Sequence, residues 1–410
     1  MLRLTDHVDS LFLRDPVAID DPYPLYRRMR IEAPVYWHEP GGRWLLTRYD
    51  DVAAALRDPR LSADLTTGGR QEAQLRQLPE PTRSQARAVR RSMHSWMMFR
   101  DAPDHTRLRG LVMQAFTPRL IASLRGRIQA VVDALLDAID GGAPVDIIHA
   151  FAYPLPAIVI AELLGVLPED RDMLKRWSDE IGVFFDGRMD GAERASRAIG
   201  EMADYLRGVA AVRRKEPGDD LLSALVSAEQ QGDRLTEEEL YATCIFLLFA
   251  GHETTTNLIG NGLLALFRHP DQLSALRDDP TLITTAVEEL LRYDSPAQYT
   301  ARAVVEDLAI GGQHLHAGQG VMLIRAAANR DPARFADPDR LDIARRENRH
   351  LSFAHGPHYC LGAALARLEG QIAFATLLRR FPALRHTGDP LDWNGNIGLR
   401  GLNTLPVLLA

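Results

Sequence analysis

The residue with the clearest potential for chemistry is Cys360, in the stretch FAHGPHYCLG just before a segment with helical periodicity. Gly356 and Pro357 constrain the backbone before the cysteine, and Gly362 removes a side chain where the helix begins. A cysteine at a helix N-terminus meets the positive end of the helix dipole, which stabilises a thiolate. The residues alone leave three roles open: a small core residue, a nucleophile with a nearby base, or a ligand to a metal or haem iron.

A second candidate is the polar sequence AGHETTTN, residues 250–257, which interrupts the apolar stretch 244–266. A glycine and three threonines in a buried helix lower its propensity and can loosen its hydrogen-bond ladder. Glu253 and Thr254 place an acid beside an alcohol, and such a pair can transfer protons. The alternative is a core helix whose hydroxyl groups are satisfied internally.

Together these motifs resemble those of cytochrome P450 enzymes. FAHGPHYCLG matches the family's haem-binding pattern Phe-x-x-Gly-x-x-x-Cys-x-Gly, and AGHETT is similar to its oxygen-binding groove. The resemblance implies that Cys360 is the axial thiolate ligand of the iron of haem b. It also implies that Glu253 and Thr254 are catalytic and deliver protons for dioxygen activation. The haem-contacting positions that it implies here are Phe353, Ala250, Gly251 and Cys360.

Four basic residues fall where the family binds the haem propionates. Buried carboxylates need cationic or N–H partners. His105 and Arg109 are four apart on one helical face of DHTRLR, Arg302 lies in YTARAV, and His358 stands two residues before the cysteine. The resemblance implies that these four side chains bind the haem.

The segment EELLR carries an expected structural ion pair rather than a catalytic one. Glu289 and Arg292 are three apart on a predicted helix and can pair with each other. They match the family's Glu-x-x-Arg, which holds the irregular stretch before the cysteine. The resemblance implies a third partner, and the sequence leaves Arg340 and Arg345 both open.

The elements that must position these residues are mostly helices. One begins with a capping box of Thr236 and Glu239 and continues for about thirty residues through the polar sequence. Strands are expected at residues 35–38, 43–47, 303–310, 321–324 and near the C-terminus. We therefore expect a mainly α fold with a minor β region in a single domain, residues 1–410. The resemblance implies the cytochrome P450 fold, a helical prism around haem with a long central helix.

An arginine-rich segment departs from the family pattern. Residues 70–91 contain six arginines and show little apolar periodicity, which predicts a solvated loop. The alternative is a loop that contacts an anionic ligand, and Arg83, Arg87, Arg90 and Arg91 are the candidates for holding a substrate carboxylate.

Substrate contacts are expected from residues 70–99, 181–185, 297–300 and 396–399 and from the long helix. The mixture of apolar positions favours a mid-sized, mostly apolar substrate of fatty acyl, polyketide or terpenoid type in secondary metabolism. The individual residues predicted to contact substrate are Phe246, Ala297, Gln298, Tyr299 and Ile397.

Composition narrows the class of protein. The 410 residues are 46% hydrophobic and 25% charged, and the net charge of −7 argues against a nucleic-acid partner. Two cysteines are too few for a disulfide framework or a four-cysteine zinc site. A chain without a disulfide framework is expected in the reducing cytoplasm. We expect Cys244, which lies in the apolar stretch 244–266, to be a core residue. The N-terminus has no apolar segment typical of a signal peptide, and the polar interruption of 244–266 predicts no membrane span.

The resemblance implies a haem-thiolate monooxygenase that inserts one oxygen atom from O2 into its substrate. Because 410 residues leave no room for a reductase module, ferredoxin and ferredoxin reductase are the expected electron donors. Docking is expected near Arg107, Arg345, Arg346 and Arg367. Two alternatives remain at this point: a peroxide-driven peroxygenase of the same fold, and a haem sensor without turnover.

Overall fold

The computed structural model describes residues 3–67, 75–140, 143–185, 188–230 and 232–409. The chain divides into two compact units, each assembled from distant segments. Unit 1 comprises residues 1–61, 125–156 and 253–410, and unit 2 comprises residues 62–124 and 157–252. The expectation of a single domain stays a prediction.

Helices dominate both units. In chain order the α-helices are α1 (Leu4–Phe12), α2 (Pro16–Asp20), α3 (Tyr23–Glu32), α4 (Tyr49–Ala55), α5 (Thr82–His94), α6 (Asp104–Ala115), α7 (Pro118–Ser123), α8 (Arg125–Asp137), α9 (Pro154–Leu163), α10 (Arg171–Phe185), α11 (Ala192–Lys215), α12 (Leu221–Ser227), α13 (Glu237–Arg268), α14 (Pro270–Asp278), α15 (Ile283–Tyr293), α16 (Arg325–Ala328) and α17 (Ala363–Arg380). In α13, residues 237–252 belong to unit 2 and residues 253–268 to unit 1.

The strands are short. They are β1 (Val35–His38), β2 (Arg43–Leu46), β3 (Leu61–Ser62), β4 (Val145–Asp146), β5 (Glu229–Gln230), β6 (Asp233–Arg234), β7 (Thr300–Val304), β8 (Leu308–Ile310), β9 (Gln313–Leu315), β10 (Gly320–Leu323), β11 (Arg385–His386), β12 (Asp392–Trp393), β13 (Leu402–Thr404) and β14 (Pro406–Leu408). The largest sheet has the order β1-β2-β10-β7-β3, with β10 parallel to β2 and antiparallel to β7.

This sheet of unit 1 is buried on both faces. Val321 and Leu323 of β10 belong to one apolar cluster with Leu46, whereas Met322 belongs to another cluster with Leu45. Alternate side chains of a strand point to opposite faces, so two cores flank the sheet. The sheet is therefore a rigid base for Arg302, which lies within β7.

The long central helix forms as expected. The Thr236 hydroxyl accepts a hydrogen bond from the Glu239 backbone N–H at 3.2 Å, and the Thr236 N–H donates to the Glu239 carboxylate at 2.9 Å. This capping box opens α13, which continues for 32 residues. Within the described residues, no helix has the length and apolar character needed to cross a membrane.

The arginine-rich segment differs from the expected loop. Residues 70–74 lie outside the described residues, but residues 82–94 form α5. Ala86, Val89 and Met93 are buried along one side of this helix. The sequence interpretation was wrong here because an apolar stripe of three small or medium side chains among arginines is a weak signal.

Several element boundaries also differ from the sequence prediction. The expected strand 303–310 is divided into β7 and β8, which are separated by residues 305–307. The expected strands 43–47 and 321–324 are β2 (Arg43–Leu46) and β10 (Gly320–Leu323).

Candidate functional site

The segment FAHGPHYCLG, residues 353–362, is called the cysteine loop, and it precedes α17 in unit 1. The Cys360 N–H donates to the Phe353 carbonyl at 2.9 Å, and the cysteine residue is exposed. Gly356 has φ +73°, and a Cβ there would lie 3.0 Å from Arg57 Cγ and 3.1 Å from the Leu56 carbonyl oxygen. A side chain at Gly356 would therefore be strained in both conformation and space. This backbone presents the thiol rather than burying it.

Phe353 anchors the start of this loop. It is buried, and the Arg367 guanidinium lies over its ring, 4.5 Å from the centroid. Arg367 in turn donates to both carboxylate oxygens of Glu288, at 2.6 and 2.8 Å. Burial raises the pKa of Glu288, but hydrogen bonds from His350 and Arg367 outweigh it and lower the pKa to about 2. The loop is thus fixed by an aromatic contact and a charged pair.

The surface beside the cysteine can accept a flat group. Gly362 is the N-cap of α17, and a Cβ added there would meet no atom of the described structure within 4 Å. His358 ends the short turn Gly356–His358 and is half-buried. An exposed thiol, a helix N-terminus and open space at Gly362 suit a planar ligand whose central atom binds sulfur.

Two buried arginines lie near this loop. Arg302 and Arg325 are 6% and 7% exposed. Arg325 donates to the Ser352 carbonyl at 2.9 Å and to the Tyr299 carbonyl at 3.1 Å, while its Nε–H has no acceptor. A buried cation that donates only to carbonyls, as Arg325 does, is costly without an anion. The residues of unit 1 therefore fit a group that carries carboxylates, as haem does.

The polar part of α13 in unit 1 includes Glu253 and Thr254, both half-buried, followed by Thr255, which is buried. Glu369 of α17 is buried and hydrogen-bonded to the Thr255 side chain. Burial raises the pKa of Glu369 to about 8, so this carboxyl is mostly protonated at neutral pH.

Glycines bring α13 and α17 together. A Cβ at Gly262 would lie 2.6 Å from Phe374 Cζ, and one at Gly370 would lie 3.2 Å from Leu258 Cδ2. This close packing places Glu369 beside the polar sequence. Glu369 was not predicted from the sequence, although it is the one acidic residue of the mostly apolar run LARLEGQIAF, and buried acids are rare.

In unit 2 the structure gives Gly251 a packing role. A Cβ there would lie 3.0 Å from Ile160 Cγ1, so the glycine allows α9 and α13 to approach. Ala250 is half-buried on the preceding position, and His252 is buried with its Nδ1 3.4 Å from the Ser178 hydroxyl. Burial lowers the pKa of His252, so the imidazole is neutral at neutral pH.

His105 and Arg109 also belong to unit 2. Both lie on α6, one turn apart, with His105 buried and Arg109 half-buried. The helix therefore presents two basic groups on one side, as their spacing predicted. Their binding of haem stays a prediction.

The predicted substrate residues of unit 1 come from two segments that the structure brings together. Ala297 forms a β-bridge with Leu399, and the Gln298 N–H donates to the Gly398 carbonyl at 2.9 Å. Gln298 is only 1% exposed, and its side-chain amide donates to the Ser295 carbonyl at 2.6 Å. Tyr299 and Ile397, which complete this predicted group, are half-buried against an apolar cluster.

Phe246 belongs to an aromatic cluster in unit 2. Its ring centroid lies 5.6 Å from that of Trp96, which also contacts Phe249 at 5.7 Å and Phe99 at 6.3 Å. Phe185 lies 4.9 Å from Phe249. Phe99, Phe185 and Phe246 remain partly exposed. Three segments predicted to contact substrate therefore meet in one apolar surface.

The structural ion pair is fully buried. Arg292 Nε lies 2.7 Å from Glu289, and both side chains have no exposed surface. Arg345 is the third partner, with its Nε 3.1 Å from the Glu289 carboxylate. Arg340 contributes its carbonyl oxygen, which accepts from Arg292 at 3.1 Å. The network holds the segment before the cysteine loop against α15.

Three of the four arginines predicted for partner docking are already ion-paired. Arg107 pairs with Asp233 and Glu239 in unit 2. In unit 1, Arg345 pairs with Glu289 and Arg367 with Glu288. Their charges are therefore partly neutralised, whereas Arg346 is exposed.

Comparisons with known proteins show the family of this chain. The cytochrome P450 family model matches residues 189–403. Cytochrome P450 107B1 of Saccharopolyspora erythraea is 45% identical over 98% of this chain and 98% of that protein. The polyketide biosynthesis cytochrome P450 PksS of Bacillus subtilis is 42% identical over 95% of this chain and 96% of PksS.

A solved structure of P450BioI, in complex with hexadec-9Z-enoic acid ligated acyl carrier protein, has a TM-score of 0.86 to this chain. It is 38% identical and covers 96% of this chain and 99% of that one. The predicted fold class and enzyme class are therefore confirmed. The chain belongs to the cytochrome P450 family and is a haem-iron monooxygenase.

Proposed function

We propose that the chain binds haem b through Cys360 and inserts one oxygen atom from O2 into a mid-sized, mostly apolar substrate. The observation that carries this proposal is the loop that presents an exposed Cys360 at the start of α17, held by Gly356 and Phe353. When bound, the haem supplies dioxygen activation. Arg302, His358, His105 and Arg109 neutralise its carboxylates in this proposal.

The chain's own part in the reaction is to hold and move protons. Glu253 and Thr254 would hold and transfer the protons that dioxygen activation requires. Both residues are half-buried, so their side chains remain in part accessible to water. Glu369, protonated at neutral pH and hydrogen-bonded to Thr255, fixes the neighbouring turn of the helix.

The substrate is of fatty acyl, polyketide or terpenoid type, and the reaction belongs to secondary metabolism. The partly exposed rings of Phe99, Phe185 and Phe246 support an apolar ligand, because aromatic side chains release much apolar surface from water on binding. PksS acts in polyketide biosynthesis, and P450BioI was solved with an acyl carrier protein, so both kinds of relative point to acyl-derived substrates.

The same proposal includes electron donors and location. Ferredoxin and ferredoxin reductase supply the electrons, and the arginines proposed for docking are Arg107, Arg345, Arg346 and Arg367. The protein acts in the cytoplasm, and its two units work as a single catalytic domain. An acidic donor would be attracted by these arginines, so reduction should slow as salt rises.

The thiolate assignment is tested with the purified holoenzyme. The reduced carbon monoxide complex of the native chain should show the strongly red-shifted Soret band of thiolate-bound haem. Cys360→Ser should abolish that band, whereas Cys244→Ala should keep it, because Cys244 is fully buried and burial raises its pKa to about 12. A native complex without the red shift would overturn the proposal.

The reaction is tested by turnover. Fatty acyl, polyketide and terpenoid compounds are screened for a Soret shift, and those that shift it are incubated with NAD(P)H, ferredoxin and ferredoxin reductase. We expect a product that carries one oxygen atom from labelled O2. A product formed with peroxide but not with the ferredoxin system would instead establish a peroxygenase.

A further inference from the structure

Arg325 is a buried cation. It is not among the residues that the family resemblance implies to bind haem. Arg325 is 7% exposed and is the first residue of α16, separated from β10 by Ile324 alone. Two of its nitrogens donate to the carbonyls of Ser352 and Tyr299, and its Nε–H has no acceptor. Part of its hydrogen-bonding capacity is therefore unused inside the protein.

Two other buried arginines of unit 1 have carboxylate partners, whereas the buried Arg30 donates to the Ala327 carbonyl. Arg292 pairs with Glu289 at 2.7 Å, and Arg400 pairs with Asp294 at 3.0 Å. Among the residues that the structure describes, Arg325 has no such ion pair. When a buried charge is hydrogen-bonded only to neutral acceptors, the free-energy cost of its desolvation exceeds the stabilisation from those hydrogen bonds. An external anion would remove this imbalance.

The surroundings of Arg325 indicate which anion it meets. Ser352 immediately precedes Phe353 of the cysteine loop, and Tyr299 immediately precedes β7, which contains Arg302. The Arg325 guanidinium is therefore hydrogen-bonded both to the residue before the cysteine loop and to the residue before β7, the strand that contains Arg302. Both of these elements belong to the haem site.

The electrostatics agree with this placement. Burial lowers the pKa of Arg325 to about 10, the negative charge of Cys360 opposes that change, and Arg302 adds to it. Arg325 therefore stays protonated at neutral pH. Two cations that repel each other inside one unit are stabilised together by a ligand with carboxylates.

We propose that Arg325 is a positioning residue of the haem site, which supplies a further positive charge to the haem carboxylates and holds the cysteine loop to β7. The inference rests on the proposed haem binding through Cys360. It adds a cation from a third element, α16, to those on β7 and in the cysteine loop.

The test uses the holoenzyme with Arg325→Gln, Arg325→Leu and Arg325→Lys. Haem transfer to excess apomyoglobin measures retention, and spectroelectrochemical titration measures the reduction potential. We expect Gln and Leu to speed haem loss about ten- to hundred-fold, the loss expected for a charge-assisted hydrogen bond. The potential should also fall, since removing a positive charge disfavours reduced iron. Lys should stay near the native values.

Arg400→Gln is the matched control, because Arg400 is equally buried but already paired with Asp294. It should lower the resistance to unfolding without changing the reduction potential. If Gln and Leu at position 325 leave both haem loss and potential unchanged, or if Lys behaves like Leu, the inference is overturned. If Gln does not fold, the Lys variant decides between the same two outcomes. A native chain without the red-shifted carbon monoxide band would instead overturn the proposed function itself.

Discussion

Glu369 provides a test of how the buried polar interior responds to pH. The change is Glu369→Gln, which keeps the size and hydrogen bonding of the side chain but removes its titration. Burial raises the pKa of Glu369 to about 8, against an ordinary value of 4.5. In the unfolded chain the carboxyl loses its proton near 4.5, whereas in the folded chain it retains the proton until about 8. Its contribution to stability is therefore complete below pH 4.5 and is lost as pH rises through 8.

The expected magnitude follows from this window. Between about pH 5.5 and 7 the folded state holds one proton more than the unfolded state. Each pH unit in this interval then lowers the free energy of unfolding by about 1.4 kcal/mol. The native chain should therefore lose about 2 kcal/mol relative to Glu369→Gln over this interval, as an upper estimate for one carboxyl.

The assay is denaturant unfolding of native and variant holoenzyme at several pH values, followed by tryptophan fluorescence. Infrared spectroscopy should also show a protonated carboxyl band in the native chain that is absent from Glu369→Gln and disappears as pH rises past 8. Asp58→Asn is the control, because hydrogen bonds from Arg60 lower the pKa of Asp58. Its effect should stay constant between about pH 5.5 and 7, since the carboxylate is ionised there in both the folded and the unfolded state.

The reasoning would be refuted if the difference in unfolding free energy between native chain and Glu369→Gln did not change with pH. The same conclusion would follow if the infrared band were missing below pH 7. Either result would mean that the carboxyl is ionised despite its burial.

Two further pairs of substitutions test the ion-pair network at Glu289 and the backbone of the cysteine loop. Arg345→Gln should lower the free energy of unfolding by about 1–3 kcal/mol, because it removes one cation from the buried Glu289. Arg340→Gln should change it by less than about 0.5 kcal/mol, because only its carbonyl joins the network. Gly356→Ala should cost about 1–2 kcal/mol and reduce haem content, since φ is +73° and the Cβ meets Arg57. Gly126→Ala, where a Cβ meets nothing within 4 Å in α8, should not reduce haem content. Thermal unfolding and the haem-to-protein absorbance ratio measure these effects, and equal losses in the members of either pair would contradict the assignment.

Local patterns were enough to predict the features that depend on neighbours in sequence. The capping box at Thr236, the length of α13 and the helix after Cys360 all follow from residues within a few positions of one another. The same holds for the Glu289–Arg292 pair, whose spacing of three places both side chains on one face of α15. These parts of the fold and site were therefore accessible from the sequence.

Local patterns failed where the apolar signal was weak. The helix α5 was interpreted as a loop, because Ala86, Val89 and Met93 form too narrow a stripe among arginines. A short stripe of this kind acquires its burial from tertiary packing, and intrinsic propensity does not reveal it.

The sequence by itself indicated the reaction class, because the loop around Cys360 and the Glu253-Thr254 pair are short contiguous motifs that resemble those of the cytochrome P450 family. Only the tertiary structure decided which cations and acids act together. Arg345 reaches Glu289 across 56 residues, and Glu369 reaches Thr255 because glycines let α13 and α17 pack closely. Arg325 likewise donates hydrogen bonds to backbone carbonyls from two segments that are distant in sequence. The desolvation and ion pairing of a charged side chain depend on which residues surround it in the folded protein. The periodicity of the sequence therefore does not reveal them.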